Sequence, residues 1–217
     1  MTTDARTILL AGATGLVGRE LLRGLLTDAS VAQVHALGRK APAESNPKLA
    51  FHSVDFAALP TLPHVDECYI ALGTTIKVAG SQEAFRAVDF DAVVNTAKAA
   101  KAAGATRLGV VSAMGADTRA SLFYSRVKGE MEEALSQLGF DALVIARPSM
   151  LAGDRASIGQ PVRGGEELAT KVSRWLGAVI PANYRSIAAA SVARALLANV
   201  PTSSGKRVMM SGELRKH

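Results

Sequence analysis

Residues 6–26 read RTILLAGATGLVGRELLRGLL. Thr7, Ile8, Leu9, Leu10 and Ala11 are all apolar or β-branched, the pattern of a strand buried on both faces of a parallel sheet. Glycines follow at positions 12, 15 and 18. Beyond them Leu16, Val17, Leu21, Leu22, Leu25 and Leu26 recur at helical spacing, so a strand, a tight turn and a helix fit within about twenty residues. This is the front half of a βαβ unit, and it predicts an α/β fold of Rossmann type, a doubly wound parallel sheet with helices on both faces.

Each glycine has a task if a pyrophosphate sits at this turn. Gly12 can take the positive φ of a strand-to-helix reversal, Gly15 lets backbone N–H groups approach phosphate, and Gly18 lets helix and strand close on each other. The helix N-terminus adds unpaired donors and partial positive charge. The spacing is G-x-x-G-x-x-G, one residue longer at the front than the general dinucleotide fingerprint.

The 217 residues suffice for one domain with a full core. Hydrophobic content of 48% against 20% charge excludes a disordered chain. No apolar run approaches the roughly 20 residues that span a bilayer, and MTTDARTILL lacks a secretory leader's basic start and cleavage site. The expectation is a cytoplasmic protein with no membrane insertion. The single cysteine, Cys68, belongs to the apolar run that continues through Tyr69-Ile70-Ala71-Leu72 and reads as a core residue. The net charge of +6 comes from scattered lysines and arginines, and with 5% aromatics there is neither a basic stripe nor a set of stacking platforms, so no nucleic-acid partner is expected. Histidines 35, 52, 64 and 217 have no ligand spacing, and no metal site is expected.

Further strands are predicted at 31–37, 49–54, 67–72, 107–111 and 141–146, with an edge strand at 206–210. At the end of the second, where an acidic residue would bind the 2′-hydroxyl of NAD, stand Arg39 and Lys40. A cation there pairs with a 2′-phosphate, which favours NADP over NAD. Asp55, after the third strand, can accept from the adenine amino group or cap the following turn. Gly73-Thr74-Thr75 follow the fourth strand on the crevice side of the sheet, where open α/β folds bind ligands. A long helix is predicted over 82–103, with Asp89 and Asn95 read as ordinary exposed positions, and a second over 123–138, with Glu130, Glu132 and Glu133 as a solvated face. These two helices are the candidates for pairing subunits into a homodimer. Residues 152–165 read as a loop beside the cleft, with Arg155 and Arg163 mostly solvated, 166–176 as a helix in which Trp175 packs, and 152–187 together as a lid or substrate-side segment of the single domain 1–217.

The chemistry is expected on the second long helix. Tyr124 and Lys128 are four residues apart, one turn and on one face. A phenol normally titrates near 10, and a cation beside it favours the phenolate. Lys128 can also hold a ribose, and Ser112, at the end of the fifth strand, can hydrogen-bond the same substrate oxygen. Together they can move a proton to or from a carbonyl or alcohol while hydride passes to or from a nicotinamide.

GATGLVG at 12–18, LGR at 37–39, ALGTT at 71–75, VSAMGAD at 111–117, YSRVK at 124–128 and ARPSML at 146–151 together resemble an atypical short-chain dehydrogenase/reductase, nearest the branch of the Tat-interacting protein. The resemblance runs from about residue 7 to residue 200. It implies Gly12, Thr14, Gly15, Leu16, Val17, Arg39, Leu72, Gly73, Thr74, Tyr124, Lys128 and Pro148 around the cofactor, with Tyr124 as acid/base. Ala113 departs from it where relatives often repeat the serine. The chain is also short for the C-terminal substrate domain of the extended reductases. The expected activity is an NADP(H)-dependent oxidoreductase acting on a small-molecule carbonyl or alcohol. A cofactor-binding redox sensor without turnover is the alternative, and an epimerase or dehydratase that keeps its cofactor is a third class.

Overall fold

In the computed structural model, which describes residues 5–152, 183 and 185–217, strand β1 (Arg6–Ala11) lies in the interior of the sheet, beside its central strand. Ile8 and Leu10 point into one hydrophobic cluster, Leu9 and Ala11 into the other, and all four are fully buried. A strand covered on both faces has no polar side, which is why the run 7–11 is continuous rather than alternating. Around it stand β2 (Val31–Gly38), β3 (Leu49–Ser53), β4 (Glu67–Ile70), β5 (Arg107–Val111), β6 (Ala142–Arg147) and β9 (Gly205–Met210), in the spatial order β3-β2-β1-β4-β5-β6-β9. Every pairing is parallel. The order reverses between β1 and β4, so the crevice for a ligand opens beyond the C-terminal ends of those two strands.

Helix α1 (Leu16–Thr27) and helix α6 (Ala189–Asn199) cover one face with Leu21, Leu22, Leu25, Val192 and Leu196. On the other face lie α4 (Val93–Ala102) and α5 (Phe123–Ser136), with Val93, Ala97, Met131 and Leu135 turned inward. The helix expected over 82–103 is built in three parts: α3 (Gln82–Arg86), capped by Ser81, then a wider π-helical stretch Ala87–Ala92, then α4. Gly104, at φ +106°, ends it. A short helix α2 (Ile76–Ala79), whose first turn Thr75 caps by accepting from the Val78 N–H, follows β4 and was not expected. A two-residue parallel pair, β7 (Leu151–Ala152) with β8 (Ile187–Ala188), precedes α6, and α7 (Ser211–Leu214) follows β9. The loop at 152–165, apart from Ala152, and the helix at 166–176, with Arg155, Arg163 and Trp175, lie outside the described residues.

Candidate functional site

The turn after β1 is built as its glycines demand. Gly12 sits at φ +89°, and a Cβ added there would lie 2.6 Å from the Ala71 carbonyl carbon. The first helix therefore leaves β1 hard against the end of β4. At Gly18 the close approach is tighter still, with an added Cβ only 1.9 Å from the Gly12 carbonyl oxygen. Gly15 is the N-cap of α1, and no side chain bonds to the first turn, which holds no acidic residue. The leading N–H groups of α1 are thus left to an anion, and the cradle suits a diphosphate. Thr14 is exposed, while Gly15 and Leu16 are half-buried. Val17 is core, 4% exposed, so only its backbone can meet a ligand.

Across the crevice, Leu72, Gly73 and Thr74 leave the end of β4, with Gly73 exposed. The Thr74 N–H donates to Asp89 Oδ2 at 2.8 Å, and Asp89 Oδ1 pairs with Lys128 Nζ at 2.7 Å. Asp89 is 1% and Lys128 3% exposed. The expectation that Asp89 is an ordinary surface position is therefore corrected. It faces inward from the π-helical stretch, an insertion often found at functional sites. A buried carboxylate and a buried ammonium each require a partner, and here each is the other's. The signal lay in the pattern: Asp89 stands four residues after buried Phe85 and four before buried Val93, on the apolar stripe.

Tyr124, in the first turn of α5, packs its ring 5.4 Å from that of Phe85. Its phenol helps to line a cavity of about 440 Å³ whose other walls are Thr75 and Ile76, Ala113 and Met114, and the segment Pro148–Met150. Pro148, expected beside the nicotinamide, is therefore on the same wall system as Tyr124.

Ser112 departs from its expected place. Its hydroxyl is buried and donates to Glu132 Oε1 at 2.5 Å, and Ser112 does not line this cavity. Glu132, expected on a solvated face with Glu130 and Glu133, is 2% exposed and receives Arg147 through two nitrogens, at 2.9 Å from Nε and 2.6 Å from Nη2. Those hydrogen bonds and the carboxylate charge hold the Arg147 guanidinium more firmly protonated than usual, against the cost of its burial. Glu130 forms a half-exposed pair with Arg86, and Glu133 is exposed as expected.

Arg39 is exposed just past the end of β2 and makes no ion pair among the described residues. Asp55 accepts from the Ala57 N–H at 2.9 Å, so the turn-capping use of that carboxylate is the one seen. Asn95 is half-buried and ties α4 to the Phe56 carbonyl. His35 and His52, far apart in the chain, stand on neighbouring strands with ring nitrogens 2.9 Å apart.

The sequence profile described as NAD(P)H-binding matches residues 12–200. The chain belongs to this family. Curated relatives include an Fmp52 protein and an HTATIP2 protein. Protein fmp52, mitochondrial, of Emericella nidulans is 35% identical over 158 residues, 68% of each chain. Protein HTATIP2 of Rattus norvegicus is 32% identical over 227 residues, covering 98% of this chain and 88% of its own. The fold is shared with the Bordetella bronchiseptica enzyme WbmH, solved in complex with NAD+, at a TM-score of 0.70 and 16% identity over 96% of this chain and 76% of that one. The oxidoreductase ylbE of Lactococcus lactis superposes at 0.64 with 19% identity over 95% and 91%. Family and fold agree with the short-chain dehydrogenase/reductase resemblance. The relatives' names correct the cytoplasmic expectation, since several Fmp52 proteins are named mitochondrial. That expectation rested on a missing apolar run and a missing secretory leader, and neither distinguishes the cytosol from other compartments. Among the described residues no helix is long and apolar enough to cross a membrane.

Proposed function

We propose that this NAD(P)-binding protein is an NADP(H)-dependent oxidoreductase of the short-chain dehydrogenase/reductase type, interconverting a carbonyl and an alcohol. The observation that carries the reading is a tyrosine on the wall of a cavity at the ligand-binding end of the sheet, one helical turn before a buried lysine anchored by Asp89. The nicotinamide, when bound, supplies or accepts the hydride. Tyr124 gives its proton to the carbonyl oxygen as that oxygen gains charge, or takes one from the alcohol. Lys128 offsets the negative charge that develops on the phenol and offers a donor to the ribose, and Asp89 with the Thr74 N–H keeps the ammonium where it is needed. The backbone of Gly12, Thr14, Gly15, Leu16 and Val17 cradles the diphosphate. Leu72, Gly73 and Thr74 border the dinucleotide, Pro148 faces the carboxamide, and Arg39 meets the 2′-phosphate. The Thr75 hydroxyl, whose oxygen accepts from Val78, keeps its hydrogen for the substrate oxygen and takes the part first given to Ser112.

NADPH oxidation against a panel of carbonyls and quinones, with Tyr124→Phe beside the parent protein, tests this directly. The expected result is a loss of turnover of about 100-fold or more with NADPH affinity kept. The engagement of Ser112 with Glu132 favours a second reading, in which the protein binds the cofactor and reports its redox state without turnover. Tight NADPH binding with no consumption across the panel decides for that one. For cofactor choice, Arg39→Asp weakens NADPH much more than NADH, and equal weakening of both overturns the 2′-phosphate assignment.

A further inference from the structure

From the chemistry of the cavity beside Tyr124 we infer that its occupant is an uncharged carbonyl compound with an apolar body, an aldehyde, ketone or quinone bearing no carboxylate or phosphate. This rests on the oxidoreductase reading above and names its substrate class. The described walls contain no aspartate, glutamate, lysine, arginine or histidine. Their polar side chains are Tyr124, Thr75 and Ser149, and these differ in what they have left to offer. Ser149 donates its only hydroxyl hydrogen to the Arg185 carbonyl and accepts from Ser211 on its oxygen, so it has no hydrogen left to donate to a ligand. That leaves two neutral donors, the phenol of Tyr124 and the hydroxyl of Thr75, for a single acceptor oxygen.

Two cations on the flanking elements are each already paired among the described residues. Lys128 is buried against Asp89, and Arg147 is gripped by Glu132 and lines instead a separate cavity that Asp117 also lines. An anionic group seated against these walls would give up part of its hydration and gain no counter-ion from the described lining.

The mouth points the same way. Ile76 and Met150 line the cavity, yet are 36% and 41% exposed. Val78 and Leu122, the other large apolar side chains exposed among the described residues, stand two positions along the chain from Ile76 and Tyr124. Exposed apolar side chains on the cavity wall, Ile76 and Met150, mark a site that gains by covering them. The volume of about 440 Å³ lies within the range of roughly 300–1,000 Å³ usual for small-molecule sites.

The test uses the full chain saturated with NADP+, with 2-naphthaldehyde and its 6-carboxy analogue as matched probes, and measures affinity by calorimetry. The uncharged aldehyde is expected to bind about ten-fold or more tightly than the carboxylated one. Met150→Lys, a change at the exposed mouth and outside the catalytic group, is expected to narrow or reverse that ratio. Equal or tighter binding of the carboxylate, binding of neither probe, or a ratio untouched by Met150→Lys overturns the inference. NADPH oxidation with the same pair separates this inference from the reading beneath it. A preserved binding ratio without NADPH consumption refutes the oxidoreductase and leaves the occupant class standing, whereas consumption with equal KM for both probes does the reverse.

Discussion

Strand β4 has an ionic knot at its start and another beyond its end, and the two are built differently. At its start Glu67 takes Arg6 Nη1 on both carboxylate oxygens at 2.8 Å and the Tyr69 hydroxyl on one of them, while Arg6 Nη2 reaches Asp28 and Ser30. Burial acts against the Arg6 charge, but its Glu67 bonds and charge outweigh it and hold the guanidinium protonated. Burial and the adjacent Glu67 charge push the Tyr69 phenol well above its ordinary range. Beyond the other end, Asp89 takes Lys128 on one oxygen and the Thr74 N–H on the other, and Lys128 has no further ion pair among the described residues. The first knot is closed, with its donors facing acceptors of its own chain, and it holds the fold. The second is buried close behind exposed Gly73, where an added Cβ would lie 4.0 Å from Lys128 Nζ, and the ammonium hydrogens that Asp89 does not take are what a ligand there can use.

Breaking the closed knot is expected to have the largest effect. Glu67→Ala leaves Arg6 partly buried without its main counter-ion and should cost about 3–5 kcal/mol in denaturant unfolding, with NADPH affinity of the folded protein unchanged. A large loss of NADPH affinity there would erase the distinction between the two ends. Asp89→Asn is expected to show the opposite balance, weakening NADPH about ten-fold, worth about 1.4 kcal/mol, for a smaller loss of stability, as read by fluorescence titration beside a denaturation curve. Smaller again is Ser112→Ala, which sharpens the question of what the hydroxyl does. It should cost about 1 kcal/mol of stability and change turnover less than about three-fold, because Glu132 retains Arg147. A fall of about 100-fold would return Ser112 to the substrate.

The weakest contact compared is the one between His35 and His52, at the edge of the sheet. Burial first and the neighbouring imidazole second lower the proton affinity of His35 below the ordinary histidine value. The folded state therefore binds fewer protons than the unfolded chain below about pH 6.5, so stability is complete above that pH and falls as the pH drops below it. A small decline in melting temperature between about pH 7 and pH 5, removed by His35→Gln, is the expected outcome. A melting temperature that rises on acidification would contradict it.

Much of the architecture was legible because it is written locally. The run at 7–11, the glycines at 12, 15 and 18 and the periodicity of 16–26 concern neighbours in the chain, and the strand boundaries fall within one or two residues of their expected places. The polar side chains were harder to read. Asp89 and Glu132 each occupy a stripe of otherwise buried positions, a visible anomaly, but their polarity argued for solvent until Lys128 and Arg147 were seen to meet them. Ser112 was legible as a residue at a strand end but not as a donor to Glu132, since either of two rotations suits the same sequence.

By itself the sequence determined the parallel sheet, the turn that opens the first helix and the family to which the chain belongs, because periodicity, glycine spacing and strand propensity act over a few residues. Only the tertiary structure decided which charges are paired, which hydroxyl is free and what surrounds Tyr124. Those properties arise where segments far apart in the chain come together, and desolvation in that shared interior, rather than any local preference, sets which partner each polar group must take.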